Sequence, residues 1–248
     1  MKLGICCGPE VARDYLLAGF DYVEMPAQLL KGRDAVFDIA GATLKGWETS
    51  NLFFPGDMHL YADESWREYA QRLVQRAGLV GLSVMVVGSG AARRASDIMG
   101  PQEGLRSFLM IVGQIQDIAR PLGITIAPEA LRSEETNVGN STPEIAFALK
   151  GISGWTLDLY HAYVEGTRAS EPPLDWEAFW TTQIPHAPDH VHASAMDRSA
   201  PNFPDPALQA AFGRLRSLGY DGRVSLECRV GDRPAAEVCT TVRRYLDL

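Results

Sequence analysis

The chain is short of cysteine, of long apolar runs and of positive charge, and each shortage removes a class of protein. Its four cysteines, Cys6, Cys7, Cys228 and Cys239, lack the paired spacing of a zinc site, and neighbours such as Cys6 and Cys7 make a poor disulfide staple. Reduced thiols in a cytoplasm are therefore expected. No run of about 18 apolar residues occurs, and the N-terminus lacks a charged region leading into an apolar stretch and cleavage site, so neither a membrane span nor export is expected. The formal charge of −8 opposes general attraction to a phosphate backbone, which disfavours nucleic acid as a partner. Walker and dinucleotide fingerprints are missing as well. Gly88-Ser89-Gly90, with Arg93 and Arg94 nearby, could hold a phosphate on backbone amides but reads better as a tight βα turn.

What is present is a regular alternation. Eight apolar runs bounded by Gly, Pro or polar residues read as strands: Lys2 to Cys7, Tyr22 to Pro26, Lys45 to Leu52, Ser83 to Gly88, Ile124 to Leu131, Trp155 to Tyr160, His190 to Met196 and Arg223 to Glu227. Each is followed by a helical pattern. Trp66, Tyr69, Ala70, Leu73, Val74 and Ala77 recur at helical spacing, as do Leu208, Ala211, Phe212, Leu215 and Leu218, and then Ala235, Val238, Cys239, Val242, Tyr245 and Leu246. Gly19, Gly78, Gly123 and Gly219 read as helix stops before a strand. The 46% hydrophobic content is enough for a large core, and one (β/α)8 TIM barrel over residues 1–248 accounts for the whole length.

Glu129, Asp158, His192 and Glu227 each sit near the end of one of the last four runs. Their spacings of 29, 34 and 35 residues match the roughly 31 residues of one βα unit in a barrel of about 250. In such a barrel the strand C-termini share one mouth, where active sites form. Three carboxylates and one imidazole converging there would make a divalent metal site. The longer connections, Phe53 to Glu64, Gly90 to Glu103, Arg132 to Thr142, His161 to Leu174 and Asp197 to Asp205, all leave strand C-termini, where a substrate would be enclosed.

An ordered set of fragments then resembles a known family. Gly19-Phe20-Asp21-Tyr22-Val23-Glu24, Gly88-Ser89-Gly90-Ala91-Ala92-Arg93, Ile126-Ala127-Pro128-Glu129, Glu135-Thr136-Asn137, Leu157-Asp158-Leu159-Tyr160-His161, His190-Val191-His192 with Arg198, and Gly219-Tyr220-Asp221-Gly222 leading to Glu227 span nearly the whole chain. Together they resemble the xylose-isomerase-like barrels of the sugar isomerase/epimerase superfamily, in particular ketose 3-epimerases of the D-tagatose 3-epimerase type. The resemblance implies that Glu129, Asp158, His192 and Glu227 bind the metal and that Glu135, His161 and Arg198 contact the sugar beside it.

Epimerisation beside a carbonyl needs one group to remove a proton and another to return it on the opposite face. Glu129 and Glu227 are assigned as that pair, acting through a cis-enediolate stabilised by the cation, with Asp158 and His192 completing its protein ligands. An oxygen-rich shell with one imidazole suits Mn²⁺, then Mg²⁺ or Co²⁺. Arg198 would stabilise an anionic substrate oxygen, His161 would donate to a carbonyl or hydroxyl, and Glu135 would bind a sugar hydroxyl and orient Arg198. An aldose-ketose or hydroxypyruvate-type isomerase, and a keto-sugar or keto-cyclitol lyase or dehydratase, could use the same site. An endonuclease IV-like nuclease is disfavoured by the five histidines, by Gly88-Ser89-Gly90 in place of a ligand histidine and by the acidic balance. A non-catalytic sugar-binding barrel is hard to motivate with both glutamates in place. Homo-oligomers are common in the resembled family, and the sequence fixes neither whether this chain forms one nor its number.

Several neighbours carry two readings. His190 should point to the same side as His192 and reads as a packed or supporting histidine, while His59 and His186 read as loop histidines. Glu24 either lines the pocket or is a buried carboxylate paired to a neighbouring base. One of Cys6 and Cys7 should face the mouth, although packing is the simpler role for both. Phe53, Phe54, Trp155, Tyr160, Trp176 and Trp180 could stack on a sugar but read as packing when taken as a group.

Overall fold

The computed structural model describes residues 1–32, 46–168 and 175–248. Lys45 of the third expected strand, and the end of the connection expected over 161–174, lie outside these residues. The eight strands are β1 Lys2–Cys6, β2 Tyr22–Pro26, β3 Trp47–Asn51, β4 Val84–Val87, β5 Thr125–Pro128, β6 Thr156–Asp158, β7 His190–Ala193 and β8 Arg223–Leu226. They pair in parallel in the order β5-β4-β3-β2-β1-β8-β7-β6. At the remaining seam, Glu129 bridges Thr156, and Thr156 Oγ1 donates to the Ala127 carbonyl at 2.8 Å. Every expected strand is present and the architecture is a (β/α)8 barrel.

The helices are α1 Ala12–Leu17, α2 Ser65–Val80, α3 Gly100–Ala119, α4 Thr142–Ala148, α5 Leu159–Thr167, α6 Trp176–Gln183, α7 Pro206–Ser217 and α8 Ala235–Leu246. The apolar stripe of α2 is buried at Trp66, Tyr69, Ala70, Leu73, Val74 and Ala77, as its periodicity requires. Gly78, expected as a helix stop, instead lies inside α2 where Leu122 packs against it, and the helix ends on Gly81 in the left-handed region at φ 80°. The connection expected from His161 is likewise helical, because Asp158 caps α5 by accepting from the His161 backbone N–H at 3.0 Å.

Strand alternation divides the interior into two environments. Leu3, Ile5, Val23, Met25, Met85, Val87, Ile126, Leu157, Val191, Val224 and Leu226 face the helices in one large apolar core. Their alternates enter the barrel, where Val84, Val86 and Ala127 form a small apolar cluster. Beside it the lumen is polar and buried: Glu24, Thr49, Thr156, Asp158, His190, His192 and Ser225 are each at most 3% exposed. Burying that many polar side chains is costly unless each finds a partner, which marks the lumen as the place where the fold serves chemistry.

Candidate metal centre and active-site cleft

Glu129, Asp158, His192 and Glu227 meet at the mouth. Glu129 follows β5 and Glu227 follows β8 by one residue, so each backbone still sits on the barrel while its side chain turns inward. His192 Nδ1 lies 3.4 Å from Glu129 Oε2, 3.4 Å from Glu227 Oε2 and 4.0 Å from Asp158 Oδ2. An octahedral shell of radius about 2.1 Å places neighbouring ligand atoms about 3 Å apart and opposed ones about 4 Å apart, so these separations suit ligands around one cation. Glu129 Oε2 and His192 Nδ1 are buried and lack a hydrogen-bond partner among the described residues, while Asp158 Oδ2, buried beside them, has the Arg198 guanidinium 3.0 Å away as an ion-pair partner. Two orphaned polar atoms and a buried carboxylate oxygen aimed at one point fit a small cation of oxygen and imidazole preference.

Each carboxylate is positioned by its own element. Asp158 divides its two oxygens: Oδ1 caps α5, and Oδ2 faces the cluster, 3.0 Å from Arg198 Nη2. Burial opposes charge on Asp158, but the Arg198 guanidinium, His192 and the hydrogen bond from the His161 backbone N–H outweigh it and hold the carboxyl below its ordinary range. Glu129 is held through its backbone carbonyl, which accepts from Arg93 Nη1 at 2.9 Å. Arg93 is fully buried and its guanidinium lies over the Phe108 ring, 4.9 Å from the centroid. Burial lowers the Arg93 pKa to about 10, against the pull of Glu129, and leaves it charged near neutrality. Arg93 therefore turns away from any phosphate at Gly88-Ser89-Gly90, and Ser89 Oγ accepts from the Phe54 backbone N–H, as in a structural turn.

The residues expected to touch sugar surround this cluster. Arg198 Nη1 donates to Glu227 Oε2 at 2.6 Å, and Nη2 donates to His161 Nε2 at 2.9 Å. Since Nε2 accepts, the His161 proton resides on Nδ1, which is buried, lacks a hydrogen-bond partner among the described residues and lies 3.9 Å from Glu135 Oε1. Glu135 does not orient Arg198 as the sequence suggested. It takes two hydrogen bonds from Arg132, at 2.9 and 2.7 Å, while the Arg198 guanidinium rests on Tyr160, 4.6 Å from the ring centroid. Arg132 escaped notice in the sequence, although its position three residues before Glu135 is the spacing of a local ion pair.

Glu24 is paired rather than exposed in the pocket. His190 Nε2 and His192 Nε2 contact its two oxygens at 2.8 and 2.9 Å, and Thr49 and Ser225 hydroxyls donate to it at 2.8 and 2.6 Å. Burial disfavours a charged Glu24, yet the two histidines hold its carboxyl well below the ordinary range. For His190 burial prevails and lowers its pKa. For His192 the carboxylates Glu24 and Glu227 overcome burial and raise it. Cys6 is the cysteine beside this group, with a thiol pushed well up by burial and then by Glu24. His59 is exposed, whereas His186 is half-buried, accepting from Trp155 Nε1 at 3.2 Å with its Nε2 3.0 Å from the Ala146 carbonyl.

A cleft of ≈ 270 Å³ opens over the centre, lined by Glu129, Glu135, His161, Arg198 and Glu227 on one side and by Gln28, Asn51, Phe54 and Gly88 to Ala91 on the other. Of the six aromatics weighed for sugar stacking, Phe54 lines this cleft, while Phe53, Trp155 and Trp180 are core. A larger groove of ≈ 910 Å³ between α6 and α7 has no strand residue in its wall. The cleft at the strand ends holds the convergent polar groups and is the better candidate site.

Eight parallel βα units with a carboxylate-imidazole cluster at their shared mouth define a TIM-barrel protein with a candidate divalent-metal centre. More narrowly, residues 16–245 match the family described as xylose isomerase-like TIM barrel, and the chain belongs to it. It is similar to the ketose 3-epimerase of Arthrobacter globiformis, 29% identical over 128 residues, a stretch covering 50% of this chain and 42% of that protein. Two solved structures share the fold: a D-psicose 3-epimerase with D-fructose present, at 18% identity, TM-score 0.77 and 99% coverage of both chains, and the E. coli 3-keto-D-glucoside 4-epimerase, at 18% identity, TM-score 0.72 and coverage of 98% and 99%. Those relatives act at different carbons on one scaffold, so the fold alone does not choose the reaction.

Proposed function

We propose that this protein is a divalent-metal-dependent sugar epimerase/isomerase that moves a proton at C3 of a ketose. The observation that supports this reading is the convergence of Asp158 Oδ2 and Glu227 Oε2 on Glu129 Oε2 and His192 Nδ1, the last two buried without a hydrogen-bond partner among the described residues, beneath a small cleft lined by Glu129 and Glu227. Glu129, Asp158, His192 and Glu227 would hold the cation, Mn²⁺ in the first instance, which when bound supplies positive charge to stabilise an anionic enediolate.

The chain's own groups supply the rest. One of Glu129 and Glu227 removes the C3 proton, the C2 carbonyl takes up the electron pair, and the other glutamate returns a proton to the opposite face of C3. After one turnover the two glutamates have exchanged protonation states, so the reaction runs in either direction. Arg198 holds Glu227 in place at 2.6 Å. His161 Nδ1 offers a buried proton to a substrate oxygen, and Glu135 accepts from a hydroxyl. Asn51, whose Oδ1 is buried without a hydrogen-bond partner among the described residues, accepts from a hydroxyl further along the chain of the sugar. Among the described lining residues the only cation is Arg198, already engaged by Asp158 and Glu227, which favours an unphosphorylated sugar.

The test is a panel of free ketoses incubated with metal-stripped protein, with and without added Mn²⁺, followed by separation of C3 epimers. Metal-dependent interconversion is expected. A protein that binds no divalent cation would contradict the proposal.

A further inference from the structure

We infer that Glu24 is a positioning residue that fixes His192 so that Nδ1, and not Nε2, is its metal-ligating atom. This rests on the metal-centre reading above and extends it to a residue outside the four ligands.

The geometry separates the two oxygens of Glu24. Oε2 faces three donors, His190 Nε2 at 2.8 Å, Thr49 Oγ1 at 2.8 Å and Ser225 Oγ at 2.6 Å, and the Ser225 hydroxyl is in turn 2.8 Å from Tyr22 Oη. These contacts come from β3, β7 and β8 and set the rotation of the carboxylate. Oε1 is then left with His192 Nε2, at 2.9 Å, as its one hydrogen-bond partner among the described residues. A half-turn of the His192 ring would bring carbon to that oxygen and forfeit a charge-assisted hydrogen bond. The His190 ring, edge-on to His192 at 5.1 Å and 85°, further restricts rotation. With Nε2 bound to Glu24, the remaining nitrogen Nδ1 faces Glu129, Asp158 and Glu227. A carboxylate behind a ligating imidazole fixes its tautomer and raises its basicity, and removing such a partner typically lowers metal affinity 10- to 100-fold.

The burial of Glu24 has no simpler account. It is 0% exposed on a strand whose alternate residues, Val23 and Met25, already supply the contact with the helices. A leucine there would spare the protein a buried charge.

The experiment measures Mn²⁺ dissociation constants by electron paramagnetic resonance for wild type, Glu24→Gln, Glu24→Asp and Ser225→Ala, at a temperature where each is folded, together with melting temperatures. Glu24→Asp keeps the charge and withdraws Oε1 from His192, so it decides the matter should Glu24→Gln fail to fold. The expected result is a 10- to 100-fold weaker constant in both Glu24 variants, loss of the coordinated-nitrogen modulation in the pulsed spectrum, and a smaller weakening for Ser225→Ala, which removes one of the three donors to Glu24 Oε2. Lower melting temperatures with an unchanged Mn²⁺ constant would show a merely structural role and overturn the inference alone. A wild-type protein that binds no Mn²⁺ would overturn the metal-centre reading and this inference with it.

Discussion

Arg198 grips Glu227 twice: Nη1 donates to the carboxylate at 2.6 Å and to the backbone carbonyl of the same residue at 3.1 Å. The proposed base is thus fixed at both ends, and the fixing group is itself in a left-handed backbone conformation at φ 65°. A non-glycine residue held there costs of order 1 kcal/mol, which the surrounding contacts must offset.

Replacing Glu227 with Gln keeps the size of the side chain and removes its basicity. Turnover should fall roughly hundred- to ten-thousandfold while some Mn²⁺ binding survives. Single-turnover assays beside metal titrations separate the two effects, and near-wild-type turnover would remove Glu227 from the mechanism.

Arg198→Lys tests the grip itself. A lysine retains charge but cannot reach Asp158, His161 and Glu227 with one planar fork, so kcat should drop by about tenfold or more with little change in melting temperature. An unchanged kcat would mean that Arg198 does not act on the reacting centre.

Gly88 lies so close to the Glu129 carboxylate that an added Cβ would overlap Oε1. Gly88→Ala should therefore displace a proposed metal ligand, weakening Mn²⁺ binding and kcat together. Calorimetric titration with Mn²⁺ gives the answer directly, and wild-type affinity would show that Glu129 has room to spare.

Thr156→Val removes the Oγ1 hydrogen bond to Ala127 across the β5–β6 seam and leaves a buried carbonyl short of one donor. A loss of about 1–2 kcal/mol is expected in denaturant unfolding. A variant as stable as wild type would show that the Glu129–Thr156 bridge closes the barrel unaided.

Burial raises the thiol pKa of Cys7 to about 12 and that of Cys228 to about 12, from an ordinary value near 9. The folded protein should then present about a thousandfold less thiolate at these positions than an unshifted cysteine. Native alkylation with iodoacetamide near neutrality should be slow and should accelerate on unfolding. Fast labelling of Cys7 in the folded state would contradict this.

The strands and the cluster were legible because both follow from local pattern. Apolar runs of strand length, with Glu129, Asp158, His192 or Glu227 near the end of each of the last four, encode the barrel period and the position of the mouth together. What stayed hidden depends on side-chain direction. Arg93, which in the sequence is weighed only as a cation near a possible phosphate turn at Gly88-Ser89-Gly90, enters the core to hold the Glu129 carbonyl. Glu24 carries two readings, lining the pocket or pairing with a neighbouring base, because the sequence does not show which side chains the neighbouring strands bring beside it; His190 and His192 are those partners. Asp158 as a helix cap is readable in principle, since Asp is a common N-cap residue, but the stretch from His161 reads in the sequence as a connection.

The most direct test of the account is solvent-deuterium incorporation followed by NMR, using metal-stripped protein with and without Mn²⁺ on a panel of free ketoses. The account predicts exchange at C3 that requires the cation and disappears in Glu227→Gln. Exchange confined to another carbon, or exchange indifferent to the cation, would contradict it.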